Sequence, residues 1–410
     1  MSDKKLRRLP LAAAALLVCM SAQADYTSPD GKFRMSGFGT LGYSRASTDD
    51  VYFNYKGQGG GSQKSGSLNP DSKIAVQGTY KITDTVSGTA QVMTKYDADG
   101  DYIPTFEWAF VKWQAMPSLS FRAGRMGAPF FMISDFRDVG YANTTVRPPL
   151  DVYAQVPVSN FEGVDATHQL SLGSVTLTSS ALYGEANADH ANALYSLGQP
   201  ASPARIKLKN LTGLNFLAEL DNGLMLRLGH VQGKLSIDST TPGTLKTLLS
   251  TALASPAASQ AQALIDTVTQ NDTDASFTGV GLAYDQNNIV ASAEYTKRRI
   301  NGGYVSDTTG WYTTLGYRFG SWLPYVGYGK VKVDDPNATP HDLDNLACAD
   351  EDSGMNARQL AAFRADAHRI AGGHGDQLLT GLQVDRRDPP RAGVNLIQRA
   401  IRVGPDLDGV

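Results

Sequence analysis

Residues 72–96 read SKIAVQGTYKITDTVSGTAQVMTKY, and this stretch decides the fold. In its first half the apolar side chains of Ile74, Val76 and Tyr80 alternate with polar ones, which is the period of a half-buried β-strand. A short turn follows at 83–84, and the alternation then resumes. The stretch therefore predicts a β-hairpin with one apolar and one polar face.

The same unit recurs along most of the chain. From Phe33 onward, runs of about ten alternating residues, the length of a membrane-spanning strand, are separated by turns or polar loops. The pattern predicts about thirteen antiparallel strands. They lie at roughly 33–44, 72–82, 85–96, 105–115, 118–125, 164–173, 174–184, 204–220, 224–237, 276–286, 289–299, 308–318 and 322–332.

The connections between these strands alternate in length. A soluble sandwich shows the same side-chain alternation, so that alternation alone does not distinguish it from a membrane barrel. Short turns on one side, long loops on the other and aromatic residues near strand ends favour an all-β, antiparallel transmembrane β-barrel. The short turns lie near 83–85, 116–118, 173–174, 221–223, 286–288 and 319–321, and the long loops near 45–71, 126–163, 185–203 and 238–275. In the last loop, helical spacing predicts two short amphipathic helices split near Pro256.

The N-terminus has the layout of a secretory signal peptide. Four basic residues at 4–8 precede an apolar run at 11–20, and the sequence SAQA at 21–24 provides a cleavage site. We therefore expect 1–24 to be removed. A retained membrane anchor and a lipoprotein attached through Cys19 are the alternatives.

The composition limits the function classes. The 410 residues carry a net charge of −3, which argues against a nucleic-acid partner, because such proteins neutralise phosphates with a basic surface. No later segment has about 20 apolar residues, so no transmembrane helix is predicted. After cleavage Cys348 is the one remaining cysteine, which excludes an internal disulfide.

The tail, 337–410, departs from the barrel pattern at 25–336. It contains one aromatic residue, Phe363, and no lysine. Its sequence predicts a helix at 353–370 and weak strands at 379–386 and 393–403, and the sequence given ends on Val410 where such barrels usually end on an aromatic. Single-chain bacterial barrels have even strand numbers, so thirteen readable strands fall short of an expected sixteen. Either the tail is a natural extension, or the reading frame has shifted near 337–350.

No pattern of catalytic or metal-ligating residues is present in the sequence. The six histidines are dispersed, and there is no zinc-protease motif, paired-cysteine site or phosphate-binding glycine loop. We therefore predict no enzymatic activity and no cofactor. The alternatives are an outer-membrane barrel enzyme of the phospholipase or protease type, for which His168 and His230 are the strand histidines, and a non-conducting structural or adhesive barrel.

The segment 119–153 is the most informative about function. It contains RAGR at 122–125, then Pro129, SD at 134–135, VGY at 139–141 and RPPLDVY at 147–153. This series resembles the constriction region of Gram-negative porins. The sequence GFGTLGY at 37–43 resembles the first strand of the same superfamily, and the likeness covers about 25–335.

The resemblance implies a passive diffusion channel for small hydrophilic solutes or ions, in contact with outer-membrane lipids of a Gram-negative bacterium. It also implies a homotrimer and a loop, here 126–163, that folds into the lumen and narrows it. Charges facing each other across a narrow channel decide which ions pass. The predicted constriction residues are Arg122, Arg125, Asp135, Arg137, Asp138, Arg147 and Asp151. Alternation further predicts that Arg205, Lys207, Lys209, Arg227, Arg298 and Arg318 point inward.

Overall fold

A computed structural model describes residues 26–334, except 48, 50–52, 56, 192–201, 240–261, 263–268 and 304, together with the backbone of 377–384. The predicted signal peptide, the helices around Pro256, and the tail elements at 353–370 and 393–403 lie outside these described residues. The domain boundary at 336 stays a prediction.

The described residues form one antiparallel sheet in which each strand pairs with its neighbours in the sequence. A one-turn helix, α1, covers Leu150–Tyr153, and a 3-10 turn covers Gly140–Ala142. The strands are β1 (Tyr26–Thr27), β2 (Phe33–Thr40), β3 (Lys73–Lys81), β4 (Val86–Lys95), β5 (Thr105–Met116), β6 (Leu119–Gly127), β7 (Asn160–Leu172), β8 (Val175–His190), β9 (Ala204–Leu220), β10 (Leu224–Asp238), β11 (Thr273–Gln286), β12 (Ile289–Ile300), β13 (Thr308–Tyr317), β14 (Trp322–Val333) and β15 (Gln377–Val384).

The thirteen predicted strands are confirmed as β2–β14, and the bounds of four of them differ by three residues or more. β2 ends at Thr40 rather than at 44, and β11 begins at Thr273 rather than at 276. β7 begins at Asn160 rather than at 164, and β8 continues to His190, so 185–190 is strand and not loop. The extra residue of the register shift at Gly184/Ala186 lies on β9, so β8 keeps its alternation of faces to His190. The outward side chains of 185–190 are polar (Glu185, Asn187 and Asp189), so this part of β8 lacks the apolar face that marks the rest of the strand.

Two strands add to the predicted thirteen. β1 is short and pairs with β2, whereas β15 pairs with β14 from Gln377 to Val384 and overlaps the weak strand predicted at 379–386. Among the described strands, no pairing joins β15 to β1 or β2. The total of sixteen strands therefore stays a prediction.

Short turns lie at one end of the sheet and longer loops at the other, as predicted. The turn between β11 and β12 shows why such short connections form. Its two residues, Asn287 and Asn288, have φ angles of 54° and 65°. A two-residue hairpin requires positive φ at both positions, and asparagine tolerates this conformation better than most residues.

The sheet curls around the loop between β6 and β7, residues 128–159. Lys73 on β3 and Glu294 on β12 both contact this loop, although nine positions separate their strands in the sheet (12 − 3). The sheet is therefore a β-barrel, and the loop 128–159 lies in its lumen.

The outer face of the barrel is apolar and exposed along most strands. Lipid solvates such a belt, whereas soluble proteins seldom expose large contiguous apolar areas. The pattern of an apolar outside and a largely polar inside is that of a transmembrane barrel. Exposed outer residues include Val76, Tyr80, Val111, Trp113, Val164, Leu214, Phe216, Leu226, Leu228, Val280, Leu282, Leu315, Tyr317 and Val326.

Candidate pore constriction

One side of the loop 128–159 packs against the inner wall of β9–β13 through apolar side chains. The ring centroid of buried Phe131 lies 4.5 Å from that of Tyr153 and 5.2 Å from that of Phe277 on β11. Tyr153 also packs against Tyr312 on β13, with 6.2 Å between the ring centroids. Full burial of a large apolar side chain stabilises by about 1.5–3 kcal/mol, so this contact holds the loop firmly against the wall.

A buried acid holds the same part of the loop. Glu294 on β12 accepts a hydrogen bond from the amide of Met132 and another from the hydroxyl of Tyr153, each at 2.9 Å. Arg227 on β10 lies 3.9 Å from Glu294 Oε1 and donates to the carbonyl oxygen of Phe130 at 3.2 Å. A buried charge requires an opposite charge and hydrogen bonds. The loop and the wall therefore complete each other's polar contacts.

Glycine on the inner wall makes room for the loop. A Cβ added to Gly310 on β13 would lie 2.1 Å from Nε2 of Gln155. A Cβ added to Gly329 on β14 would lie 2.5 Å from Oδ2 of Asp151. Gln155 uses this approach to donate a 2.8 Å hydrogen bond to Oγ1 of Thr296 on β12. A side chain at Gly310 would also meet the carbonyl oxygen of Asp151 at 2.4 Å and push the loop away from the wall, whereas one at Gly329 would displace the Asp151 carboxylate.

The opposite side of the loop meets basic residues of β3 and β4. Asp138 Oδ1 accepts a 2.8 Å hydrogen bond from Lys73 Nζ, and Asp138 Oδ2 lies 3.6 Å from Lys95 Nζ. Lys95 Nζ also contacts Glu107 on β5 at 2.7 Å. Burial alone would raise the pKa of Asp138, but the two lysines and Arg137 outweigh it and hold that pKa well below its ordinary value. We therefore expect Asp138 to stay ionised in mildly acidic solution.

A second ion pair joins the loop 128–159 to the loop 41–72. Arg147 Nε and Nη2 donate to the two carboxylate oxygens of Asp71 at 2.6 and 2.7 Å. The guanidinium carbon of Arg147 also lies 4.6 Å from the ring centroid of Phe53. Two-point pairing with a carboxylate and stacking on a ring are both favourable for arginine.

The wall formed by β5–β7 carries both signs of charge. Arg122 on β6 contacts Asp165, directly opposite on β7, with Nε 3.0 Å from each carboxylate oxygen. Lys112 on β5 is the other cross-strand neighbour of Arg122. Asp135 on the loop is exposed near this wall, and its Oδ1 would lie 2.7 Å from a Cβ on Gly127 of β6. Two cations and two acids therefore lie close together here.

Arg125 does not face the lumen, which corrects the sequence-based assignment. Arg122 and Arg125 are three residues apart, and an odd separation along a strand puts two side chains on opposite faces. Arg125 shares the outer face with the exposed Phe121 and pairs with Glu162 there, at 2.8 Å between Nη1 and Oε1. The spacing of the two arginines in RAGR already indicates opposite faces, whereas the resemblance to porins implied that both line the constriction.

Arg137 and Asp151 are buried between the loop and the wall rather than open to the lumen. Arg137 lies beside Asp138 and donates to the carbonyl oxygen of Val158 at 3.4 Å. Asp151 lies on α1 against Gly329. Both residues therefore position the loop, and their contribution to a pore constriction stays a prediction.

A β-bulge reverses the expected direction of three basic residues on β9. Arg227, Arg298 and Arg318 lie on the inner face as alternation predicts, whereas Arg205, Lys207 and Lys209 lie on the outer face. The residue after Lys209 is Asn210, whose φ is 50°. The pairing with β10 shifts register beside it, so the strand changes faces there.

Sequence analysis missed the partners of the predicted residues. Asp165 pairs with Arg122, Asp71 with Arg147, and the lysines of β3 and β4 with Asp138. Alternation places Asp165 on the polar face of its strand, but only the register between β6 and β7 brings it opposite Arg122. No local pattern marks Asp71.

Solved structures with a similar architecture are outer-membrane barrels. OmpT of Vibrio cholerae is 11% identical, with a TM-score of 0.35 over 75% of this chain and 89% of that chain. An anion-selective porin from Comamonas acidovorans is 11% identical, with 0.33 over 74% and 90%. OmpF of Salmonella typhi, solved in complex with daunomycin, is 12% identical, with 0.36 over 76% and 94%. No protein-family model and no curated protein sequence matches the chain.

The chain forms an antiparallel β-barrel. This follows from its own strand pairing and from the loop that the sheet encloses. No helix in the described part of the chain is long and apolar enough to cross a bilayer. The same residues contain no group of three or more His, Cys, Asp or Glu side chains that could hold a metal ion.

Proposed function

We propose that this barrel is an outer-membrane channel of the porin type, through which small hydrophilic solutes or ions diffuse passively. The observation that carries the proposal is the loop 128–159, which lies in the lumen and is fixed to both walls by Glu294 and Lys73. An inserted loop narrows a water-filled barrel without closing it, and charged groups at the narrow part select among solutes.

Four charged residues form the proposed selectivity region. Arg122 and Lys112 provide positive charge on the wall, while Asp165 and Asp135 provide negative charge beside them. In a confined path the field of such groups is poorly screened, so each one affects the passage of ions. Asp138 and Arg147 affect selectivity indirectly, because they hold the loop 128–159 in place.

The proposal extends to location and assembly. The signal peptide at 1–24 would direct the chain to export, and the apolar outer belt would place it in the outer membrane, in contact with lipid. A homotrimer is the assembly that the sequence resemblance implies.

The positions of His168 and His230, the two histidines that the sequence places in strands, favour a channel over an enzyme; His190, at the end of β8, packs against Gly57 of the loop 41–72. A hydrolase would need a histidine beside a serine or an acid at an accessible rim. His168 and His230 both lie on the outer face, and the Nδ1 of His230 lies 2.8 Å from Oγ1 of Thr278. Lipid rather than water would surround histidines at these positions.

Liposome swelling tests the proposal. The purified full chain, reconstituted into liposomes, should admit small neutral sugars at rates that fall with sugar size. The same preparation should hydrolyse neither phospholipid nor a peptide library. Hydrolysis of either substrate, or liposomes that stay impermeable to all sugars while containing folded barrel, would overturn the proposal.

A further inference from the structure

The first long loop, 41–72, folds inward instead of standing above the barrel. Two isolated antiparallel bridges, Ser44 with Ser67 and Phe53 with Ser62, make it a hairpin. Tyr55, Gln58 and Ser62 within it are buried. The buried side-chain amide of Gln58 has hydrogen-bond partners within the loop. Its Oε1 accepts from the Tyr55 amide at 3.0 Å, and its Nε2 donates to the Pro70 carbonyl oxygen at 3.1 Å.

The tip of this hairpin reaches the far end of β8. The amide of Ala191 donates to the carbonyl oxygen of Gly57 at 2.6 Å. Gly57 has a φ of 69°, and a Cβ there would lie 2.4 Å from the ring of His190. β3 and β8 are five positions apart in the sheet (8 − 3), about 24 Å along the wall at about 4.8 Å per strand. The hairpin therefore spans part of the mouth, the opening of the barrel at its long-loop end, from β3 to β8.

On its way the hairpin lies in backbone contact with the loop between β4 and β5. The amide of Gly59 donates to the carbonyl oxygen of Asp97 at 2.8 Å, and the hydroxyl of Tyr96 donates to the carbonyl oxygen of Gly59 at 3.2 Å. A Cβ on Gly59 would lie 2.3 Å from the carbonyl oxygen of Ala98. No solute can pass between segments that approach this closely.

The hairpin is also tied to the loop 128–159 below it. Asp71, at its base, forms the two-point ion pair with Arg147, and Phe53 lies against the same guanidinium group. Burial and the nearby carboxylate of Asp138 raise the pKa of Tyr55, so its hydroxyl stays neutral. The hairpin therefore covers the part of the constriction loop that faces β3 and β4.

We infer that the loop 41–72 is a second selectivity element. It closes the β3–β8 side of the mouth at the long-loop end and sets the size limit for solutes that enter from that end, while the loop 128–159 sets the charge preference. This inference rests on the proposed channel function. It predicts that size exclusion differs between the two ends of the barrel.

The structure suggests a variant that removes most of the hairpin in the loop 41–72 and leaves the strands of the barrel paired. The amide of Ala46 donates to the carbonyl oxygen of Gln63 at 3.1 Å, so these residues already face each other across the hairpin. Replacing 47–62 by Asn-Gly would close the hairpin with a two-residue turn. Lys64→Gln is the matched control, because Lys64 belongs to the same loop and its side chain is 55% exposed.

The first readout is exclusion of graded poly(ethylene glycol)s, added to one side of a planar bilayer that contains oriented channels. In the shortened variant, larger polymers should enter from the long-loop side, with no change from the short-turn side. Lys64→Gln should behave as wild type. An unchanged cut-off on the long-loop side, or an equal change on both sides, would overturn the inference and leave the channel function intact.

The second readout does not require conduction. In a Cys348→Ser background, Gly57→Cys combined with His190→Cys should form a disulfide in the membrane-inserted chain under mild oxidation, because the new Cβ at 57 points at residue 190. Lys64→Cys combined with His190→Cys should not. Absence of the first disulfide in a folded barrel would overturn the inference. Disulfide formation in a chain that never conducts would overturn the channel function instead.

Discussion

The hydroxyl of Tyr153 donates a 2.9 Å hydrogen bond to the carboxylate of Glu294, which joins the loop in the lumen to the wall of β12. Lys73 and Asp138 form the corresponding contact on the other side, at 2.8 Å. The loop 128–159 is thus fixed at two points across the barrel. Its position is set by contacts between the loop and the wall within the chain itself.

Removal of the buried acid should destabilise the barrel. Glu294→Ala leaves Arg227 buried without its opposite charge, which costs about 3–5 kcal/mol when one member of a buried pair is removed. Asp49→Ala is the control, because its ion pair with Lys64 is exposed to water in the loop 41–72 and contributes about 0–1 kcal/mol. Denaturant unfolding in detergent measures both. Equal losses for the two variants would contradict the assignment of Glu294 as an anchor.

Ion selectivity should depend on Arg122 and not on Arg125. Arg122→Ala removes positive charge from the lumen wall, so the reversal potential in a salt gradient should shift towards cation selectivity. Arg125→Ala removes the same charge from the outer face and should leave the reversal potential unchanged. Asp165→Asn should shift the potential in the opposite direction. A shift with Arg125→Ala equal to that with Arg122→Ala would refute the assigned faces.

The contribution of Asp138 to stability should persist in mild acid. A carboxylate whose folded pKa is lowered stabilises the fold above its unfolded pKa, here 3.8, and that stabilisation is lost as the pH falls through the folded value. The difference in unfolding free energy between wild type and Asp138→Asn should therefore be constant above about pH 5 and shrink only near and below pH 3.8. Asp49→Asn, in an exposed pair, is the control. A difference already lost at pH 5 would show that the lysines do not hold this acid.

The sequence predicted the strands far better than the site. Alternation of side chains recovers β2–β14, because each strand has one apolar and one polar face over its whole membrane-spanning length. One bulge on β9, beside Asn210, changes the phase of the side chains and accounts for the wrong faces of Arg205, Lys207 and Lys209. Partners such as Asp165 and Asp71 depend on register and on loop packing, and neither leaves a local pattern.

The tail should limit assembly. Residues 385–410, beyond β15, contain no lysine and no aromatic residue, so they lack the girdle residues that further strands need. An unpaired edge in lipid leaves backbone groups without hydrogen-bond partners. We expect replacement of 385–410 by a strand-forming sequence ending in phenylalanine to increase the heat-modifiable, protease-resistant species. A scrambled polar replacement of equal length is the control, and equal yields from all three chains would contradict this expectation.

Single-channel conductance of the reconstituted full chain tests the central claim most directly. A water-filled barrel narrowed by a fixed loop should give discrete, stable conductance steps in a planar bilayer, nearly proportional to voltage at low potential. Arg122→Ala should change the ion selectivity of those steps without abolishing them. Folded barrel that inserts but produces no conductance steps would contradict the claim that this chain forms a channel.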